Sequence, residues 1–212
     1  MKRFIVAFVC LLALVSGSTA SAWDAPKKDI DSAPKDDKSV REVLWEGNTD
    51  IDMLKQVRSD LQYARDNKEI KTLRVTLISP GGPVVICIEM ARLIRQASDN
   101  GLKVEMHGRG IVASCGTFVL AAGTPGLRSI TKETLVLVHP PQLMGSCVEY
   151  KHEPKTENEK ITNAILNLGR DLYARLTGQP IATAEKWLTC GNEQAGDGQL
   201  AVDLKLADQL DK

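Results

Sequence analysis

"LRVTLISPGGPVVICIEMARLIRQA", Leu73 to Ala97, changes its period in the middle. Leu73 to Ile78 is a strand-like, β-branched run that stops at Ser79-Pro80-Gly81-Gly82. From Val84 to Ala97 apolar residues return at helical spacing, with Ile86, Met90, Leu93 and Ala97 on one face. The stretch reads as one strand, one turn and one helix. The same alternation continues outward in both directions. Upstream, Glu42 to Trp45 reads as a short strand, and Ile51 to Ala64 as a helix through Leu54, Val57 and Leu61. Downstream come a strand over Lys103 to His107, a buried helix over Ser114 to Ala122 and a strand over Thr134 to Val138. An amphipathic helix over Glu159 to Leu176, closed by Gly178, and a short helical tail complete the chain. Strand and helix taking turns predict an α/β fold with right-handed crossovers and a mostly parallel sheet. Reactive groups in such folds gather at the carboxyl ends of strands. Three segments break there: Ser79–Gly82, His107–Ser114 and His139–Pro141.

The chain opens with Met1-Lys2-Arg3, an apolar run from Phe4 to Val15, and small residues ending in Ala20-Ser21-Ala22. A basic start, a short apolar stretch and an A-x-A site predict a cleaved export signal over residues 1–22. The product would be periplasmic in a Gram-negative source and secreted otherwise, with no stable membrane insertion after cleavage. Residues 23–41 are rich in Lys, Asp, Ser and Pro, and read as a flexible polar linker. About 190 residues remain after cleavage, enough for one domain with a substantial core, over 42–212.

Lys plus Arg equals Asp plus Glu at 27 each, which leaves no basic surplus for nucleic acid or anionic lipid. Aromatic residues, at 4%, are too few for base-stacking platforms. Four cysteines follow the signal, spaced 28, 32 and 43 residues apart, which matches no zinc pattern. No metal and no cofactor are expected. Cys87 and Cys115 sit in apolar runs and read as buried small hydrophobes. Cys147 and Cys190 lie in polar, loop-like segments and form the candidate disulfide.

A serine hydroxyl needs a neighbouring base, the base needs a group to hold its tautomer, and the oxyanion needs preset N–H donors. Ser114 has small neighbours, Ala113 and Gly116, that permit close approach. His139 follows the strand Leu135–Val138, and Gly81-Gly82 can turn a backbone N–H toward a ligand. Each feature also has a plain structural reading. Serines at helix starts cap, histidines after strands are often only satisfied polar residues, and "SPGG" alone is a turn. His107 and His152 read as structural or solvated.

Their joint order is more specific. Ser79-Pro80-Gly81-Gly82 before a helix, then Gly110-x-x-Ala113-Ser114-x-Gly116, then His139-Pro140 after an apolar strand, resembles the Clp protease proteolytic subunit family within the crotonase-like superfamily. The resemblance runs from about Glu42 through Thr177-Gly178-Gln179 to Ala201-Val202, and includes the 25 residues between Ser114 and His139. It implies a spiral of β-β-α units and a self-compartmentalising serine peptidase that forms homo-oligomers and takes peptide or unfolded protein as substrate. Ser114 would be the nucleophile, His139 the general base, and the N–H groups of Gly82 and Cys115 the oxyanion hole. Pro83 departs from the usual residue after the glycine pair, at a position where a helix needs no donor. For the acid, counting back from Ala201 puts the family's aspartate on Glu193, whereas counting forward from Thr177 lands at Gly191. Glu193 is the first choice, with Asn192 or Asp197 behind it, although Asp197 reads first as a helix cap. The polar segment Val148 to Glu159 stands where the family has its handle between rings. An exported chain would meet little ATP, so unaided cleavage of short or unfolded peptides is expected. Three other readings compete: a catalytically degenerate peptide-binding or assembly protein, a serine–lysine peptidase using Lys132, and an acyl-CoA enzyme.

Overall fold

The computed structural model describes residues 37–143 and 145–211. The expected export signal, and the linker up to residue 36, lie outside the described residues. The remainder of the expected linker is not all linker, because β1 (Val40–Glu46) begins two residues before Glu42. It pairs in parallel with β2 (Thr72–Ser79), and Arg41 and Trp45 send their donors to one carboxylate on α1 (Ile51–Asp66). Trp45 Nε1 donates to Asp60 Oδ2 at 3.0 Å, and Arg41 to Asp60 Oδ1 at 3.1 Å. A buried carboxylate is tolerable only when paired in this way.

Helix boundaries follow cap chemistry. Asp50 starts α1 by accepting the N–H groups of Asp52 and Met53. The long helix α4 (Glu157–Thr177) begins two residues before Glu159, because Thr156 and Glu159 form a reciprocal capping box that places Glu159 in the first turn. Gly178, with φ of 66°, closes it. On α2 (Val84–Asp99) the fully buried face runs through Cys87, Met90, Ala91 and Ile94. Ile86, Leu93 and Ala97 lie along its edge.

The sheet is built around β3 (Lys103–Ala113), which is six residues longer than its apolar pattern predicts. The glycines at 108 and 110 look like breakers in the sequence but lie inside the strand. A Cβ on Gly108 would come within 3.0 Å of Ile130, and Gly110 has φ of 63°. Between Leu77↔Gly108 and Ser79↔Val112 the register shifts, so β3 carries a bulge that re-aims its second half. The first half pairs with β4 (Arg128–Ile130) and the second with β5 (Leu135–Val138), both in parallel. The main path runs β1-β2-β3-β4-β9, where β9 is Gln209–Leu210. Meanwhile β5 continues antiparallel to β8 (Gln194–Gly196). The expected α/β fold with a mostly parallel sheet flanked by helices is the fold observed. The short strands β4, β8 and β9 were not legible because two or three residues show no period.

Buried Leu73, Val75, Leu77, Val104, Met106 and Val136 line the sheet face that meets the helices. α3 (Gly116–Ala121) is buried along its whole length, and α5 (Ile181–Trp187) contributes Ala184 and Trp187. The final helix, α6 (Gly198–Asp203), is capped by Asp197, whose side chain accepts Gln199 N–H at 3.0 Å. Among the described residues no helix is long and apolar enough to cross a membrane. A two-stranded hairpin, β6 (Gln142–Leu143) and β7 (Ser146–Cys147), stands outside the main sheet, and Cys147 is disulfide-bonded to Cys190.

Candidate active site

Where β3 ends, the chain turns within two residues into α3, and Ser114 occupies the turn with φ of 54°. A left-handed conformation is unfavourable for any residue with a Cβ, and at a serine it marks a site where the fold enforces the turn. The enforcing contacts are visible. Ser114 N–H donates to Leu137 O of β5 at 2.7 Å. Its carbonyl accepts Thr117 N–H at 3.1 Å and Thr117 Oγ1–H at 2.5 Å. That hydroxyl has only one proton, so Tyr173 O–H must donate to Thr117 Oγ1. Burial drives the Tyr173 phenol well above its ordinary range, so it stays protonated and keeps this role. The Tyr173 ring also packs on Phe118, with centroids 4.2 Å apart.

Ser114 does not cap the helix. Position N-cap falls to Cys115, and among the described residues the Ser114 hydroxyl has no hydrogen-bond partner in the protein. It is left to face an open groove of about 560 Å³ lined by Pro80 to Val85, Ser114, His139, Pro141, Gln142 and Ile165. Behind Ser114 a tight recess of about 20 Å³ is lined by apolar Val84, Phe118, Leu166 and Leu188, and His139 borders it as well. A second cavity, of about 500 Å³, lies between the carboxyl ends of α1 and α2, with no serine, histidine or carboxylate in its lining.

His139 is half-buried one residue past β5, and its Nδ1 lies 2.6 Å from Pro140 O. A carbonyl can only accept, so Nδ1 carries the proton. Nε2 is then a free lone pair, the tautomer a general base requires. The glycine pair comes to the same groove. Gly81, with φ of 97°, sits so close to the serine that a Cβ would fall 3.1 Å from Ser114 Oγ and 2.8 Å from Ala113 O. Among the described residues, the N–H groups of Gly82 and Cys115 find no acceptor in the protein. Gly81→Ala is therefore expected to strain the backbone and displace Ser114. The expected readout is at least about a hundredfold loss of activity with a lower melting temperature, measured by peptide hydrolysis and calorimetry.

The sequence-predicted acids are placed differently. Val138↔Gln194 is the last pair of the β5–β8 ladder, and His139 and Glu193 are the next residue of each strand beyond its end. Its Oε1 accepts Gly191 N–H at 3.2 Å, and among the described residues no hydrogen bond joins it to the imidazole. Asn192 O accepts from Gln194 Nε2, and Asp197 is occupied as the α6 cap. The Lys132 side chain is exposed, outside the groove lining. His107 Nδ1 meets Ser129 Oγ at 2.7 Å on the sheet, and the His152 ring lies edge-on to Tyr150. No group of three or more His, Cys, Asp or Glu among the described residues is placed to hold a metal ion.

One sequence expectation is corrected here. Cys87 and Cys115 are buried, as apolar neighbours predict, but they are bonded to each other rather than packed as free thiols. The first turn of α2 and the turn after β3 bring their Cα atoms to 5.8 Å, within bridging range. A spacing of 28 residues in two apolar segments carries no sign of that approach.

The mostly parallel sheet, flanked by helices, brings a serine, a histidine and a glycine pair to one groove. Residues 36–210 match the Clp protease family, and the chain belongs to it. Among curated proteins it is similar to the ATP-dependent Clp protease proteolytic subunit of Ostreococcus tauri, at 30% identity over 142 residues. That match covers 66% of this chain and 68% of the relative. The subunit of the same description from Oltmannsiellopsis viridis is 26% identical over 161 residues, covering 76% of this chain and 78% of the relative.

Proposed function

We propose that this chain is an exported serine endopeptidase that cleaves short or unfolded peptides without ATP. The observation that carries the reading is the Ser114 hydroxyl, held in a left-handed turn and lining one groove with His139 and Gly82, while Cys115 lines the adjoining recess and, among the described residues, neither the Gly82 nor the Cys115 N–H has an acceptor. A peptide carbonyl entering the groove is attacked by Ser114 Oγ as His139 Nε2 takes its proton. The oxyanion is received by the N–H groups of Gly82 and Cys115. The imidazolium then protonates the leaving amine, and water activated by the same ring hydrolyses the acyl-enzyme.

For the third member, the Pro140 carbonyl holds Nδ1 in the resting arrangement, and Glu193 is the flanking carboxylate. Because a carbonyl already fixes the tautomer, Glu193→Gln is expected to lower kcat/KM by less than about tenfold, read from the pH–rate profile of both forms. A loss of about 10⁴-fold would make the carboxylate a full triad member.

Export is supported by the basic-apolar-small pattern of residues 1–22 and by two disulfides that use all four later cysteines, a pairing that persists in oxidising compartments. Such a compartment offers little ATP, which supports unaided cleavage. A mature N-terminus at Trp23 is the expected result of sequencing the secreted product, and a retained Met1 would contradict it. Self-association is supported by exposed Ile161 and Leu168, seven residues apart on α4, and by exposed Leu44 and Leu135 on the sheet. Mass photometry of the mature chain reads it directly. The test of the activity is hydrolysis of a fluorogenic peptide with no nucleotide present, lost in His139→Ala. Peptide binding that survives that substitution with no turnover by either form would instead mark a non-catalytic binding protein.

A further inference from the structure

Two amides that must act on one oxygen stand 33 residues apart in the chain, and the sheet does not join them. The β2–β3 ladder ends at Ser79↔Val112, before either Gly82 or Cys115 is reached. Past that pair, among the described residues, no backbone hydrogen bond connects the glycine turn with the serine turn. Each is held elsewhere: Gly81 O by Thr49 N–H at 3.0 Å, and Ser114 N–H by Leu137 O at 2.7 Å. Gly81 packs against Ser114, and the covalent link is sulfur. Cys115 is bonded to Cys87, whose own N–H donates to Pro83 O at 3.3 Å in the first turn of α2. Cys115 Sγ rests 3.2 Å from Gly82 O, and Thr49 Oγ1 lies 2.9 Å from Cys87 Sγ and 3.3 Å from Cys115 Sγ. Disulfide sulfurs carry no proton, so the hydrogen in that triangle belongs to Thr49. Both cysteines and Thr49 are buried. The second bridge, Cys147–Cys190, ties the hairpin to the loop before β8 and spans neither turn.

We propose that the Cys87–Cys115 disulfide is a positioning element of the oxyanion site, fixing the Cys115 N–H against the Gly82 N–H so that turnover depends on the bridge while ground-state peptide binding does not. The inference rests on the peptidase reading above. A donor that drifts from the oxyanion position weakens the transition state more than the bound substrate, so the loss falls on kcat.

The experiment compares the oxidised mature protein with Cys87→Ala/Cys115→Ala, using a fluorogenic peptide and a peptide boronate that mimics the tetrahedral adduct. In the variant, folded by circular dichroism, kcat is expected to fall about 10- to 100-fold with KM within about threefold, and boronate affinity to fall with kcat. An unchanged kcat in the folded variant, or a loss confined to KM, overturns the proposal. If the variant does not fold, the bridge is opened chemically in a Cys147→Ser/Cys190→Ser background. A small dithiol passes two electrons and two protons to the bridge, leaving two protein thiols and a cyclic disulfide. Activity is expected to fall in step with alkylatable Cys87 and Cys115 and to return on reoxidation. Full activity at complete reduction overturns the proposal. An oxidised wild type with no turnover fails the peptidase reading and carries this inference down with it. An active wild type matched by an equally active variant removes the positioning role alone.

Discussion

Ser114→Ala is expected to lower kcat on a fluorogenic peptide by about 10⁴-fold or more, because without the nucleophile only binding and the oxyanion donors remain. The fold should persist. Among the described residues the Ser114 side chain has no hydrogen-bond partner, and alanine suffers the same left-handed cost as serine at φ of 54°. Ser114→Gly separates the two properties further, since glycine relieves strain of about 1 kcal/mol at this turn. That variant is expected to be as inactive as the alanine form while melting no lower than wild type. A serine whose loss leaves stability intact and removes turnover is there for chemistry, whereas a capping serine would show the reverse.

The largest effect on stability is expected far from the groove, at Arg128. Its side chain is buried, with 6% of its surface exposed, and donates to Ala121 O at 3.1 Å and Leu176 O at 3.0 Å, near the carboxyl ends of α3 and α4. It also pairs with Asp208, whose Oδ2 accepts Arg128 Nε at 2.9 Å and the N–H groups of Gly126 and Arg128. One guanidinium thus joins two helix ends, β4 and the C-terminal segment. Arg128→Ala leaves the Asp208 carboxylate without its counter-charge, though still with two backbone donors, and leaves the Ala121 and Leu176 carbonyls without the guanidinium, and should cost about 3–5 kcal/mol. In a domain of this size that lowers the melting temperature by on the order of 10 °C, measured by calorimetry. Burial pushes the Asp208 carboxyl up, but the Arg128 hydrogen bonds and backbone donors outweigh it and hold the group below its ordinary 3.8. A depressed folded value means the stabilisation is fully present above pH 3.8 and is lost as the pH falls below it. Asp208→Asn should flatten that acid limb of the stability curve.

The strand–turn–helix unit at Leu73–Ala97 was legible because each half keeps its own period over several residues and a Pro-Gly-Gly stop separates them. Ser114, His139 and Gly82 were legible as a set because each follows a strand end, where parallel sheets expose their reactive edge. The true length of β3 was hidden by Gly108 and Gly110, which read as breakers but serve a bulge and a close approach to Ile130. The Cys87–Cys115 bridge was hidden because pairing between two apolar segments is a tertiary fact with no local signature. The hydrogen bond from His139 to Pro140 was likewise invisible, since it depends on a ring rotamer rather than on residue type. Sequence counting around Gly191 slips, and the structure shows that region as a loop entering the short antiparallel strand β8. There Glu193 satisfies a backbone donor two residues away.

The central claim is that Ser114 is an activated nucleophile with His139 as its base. It is tested most directly by treating the oxidised mature protein with a fluorophosphonate and mapping the adduct by peptide mass spectrometry. The account predicts one stoichiometric adduct on Ser114, formed at least about a hundredfold more slowly in His139→Ala. No adduct on the folded protein, an adduct on another residue, or equal labelling without the imidazole would contradict it.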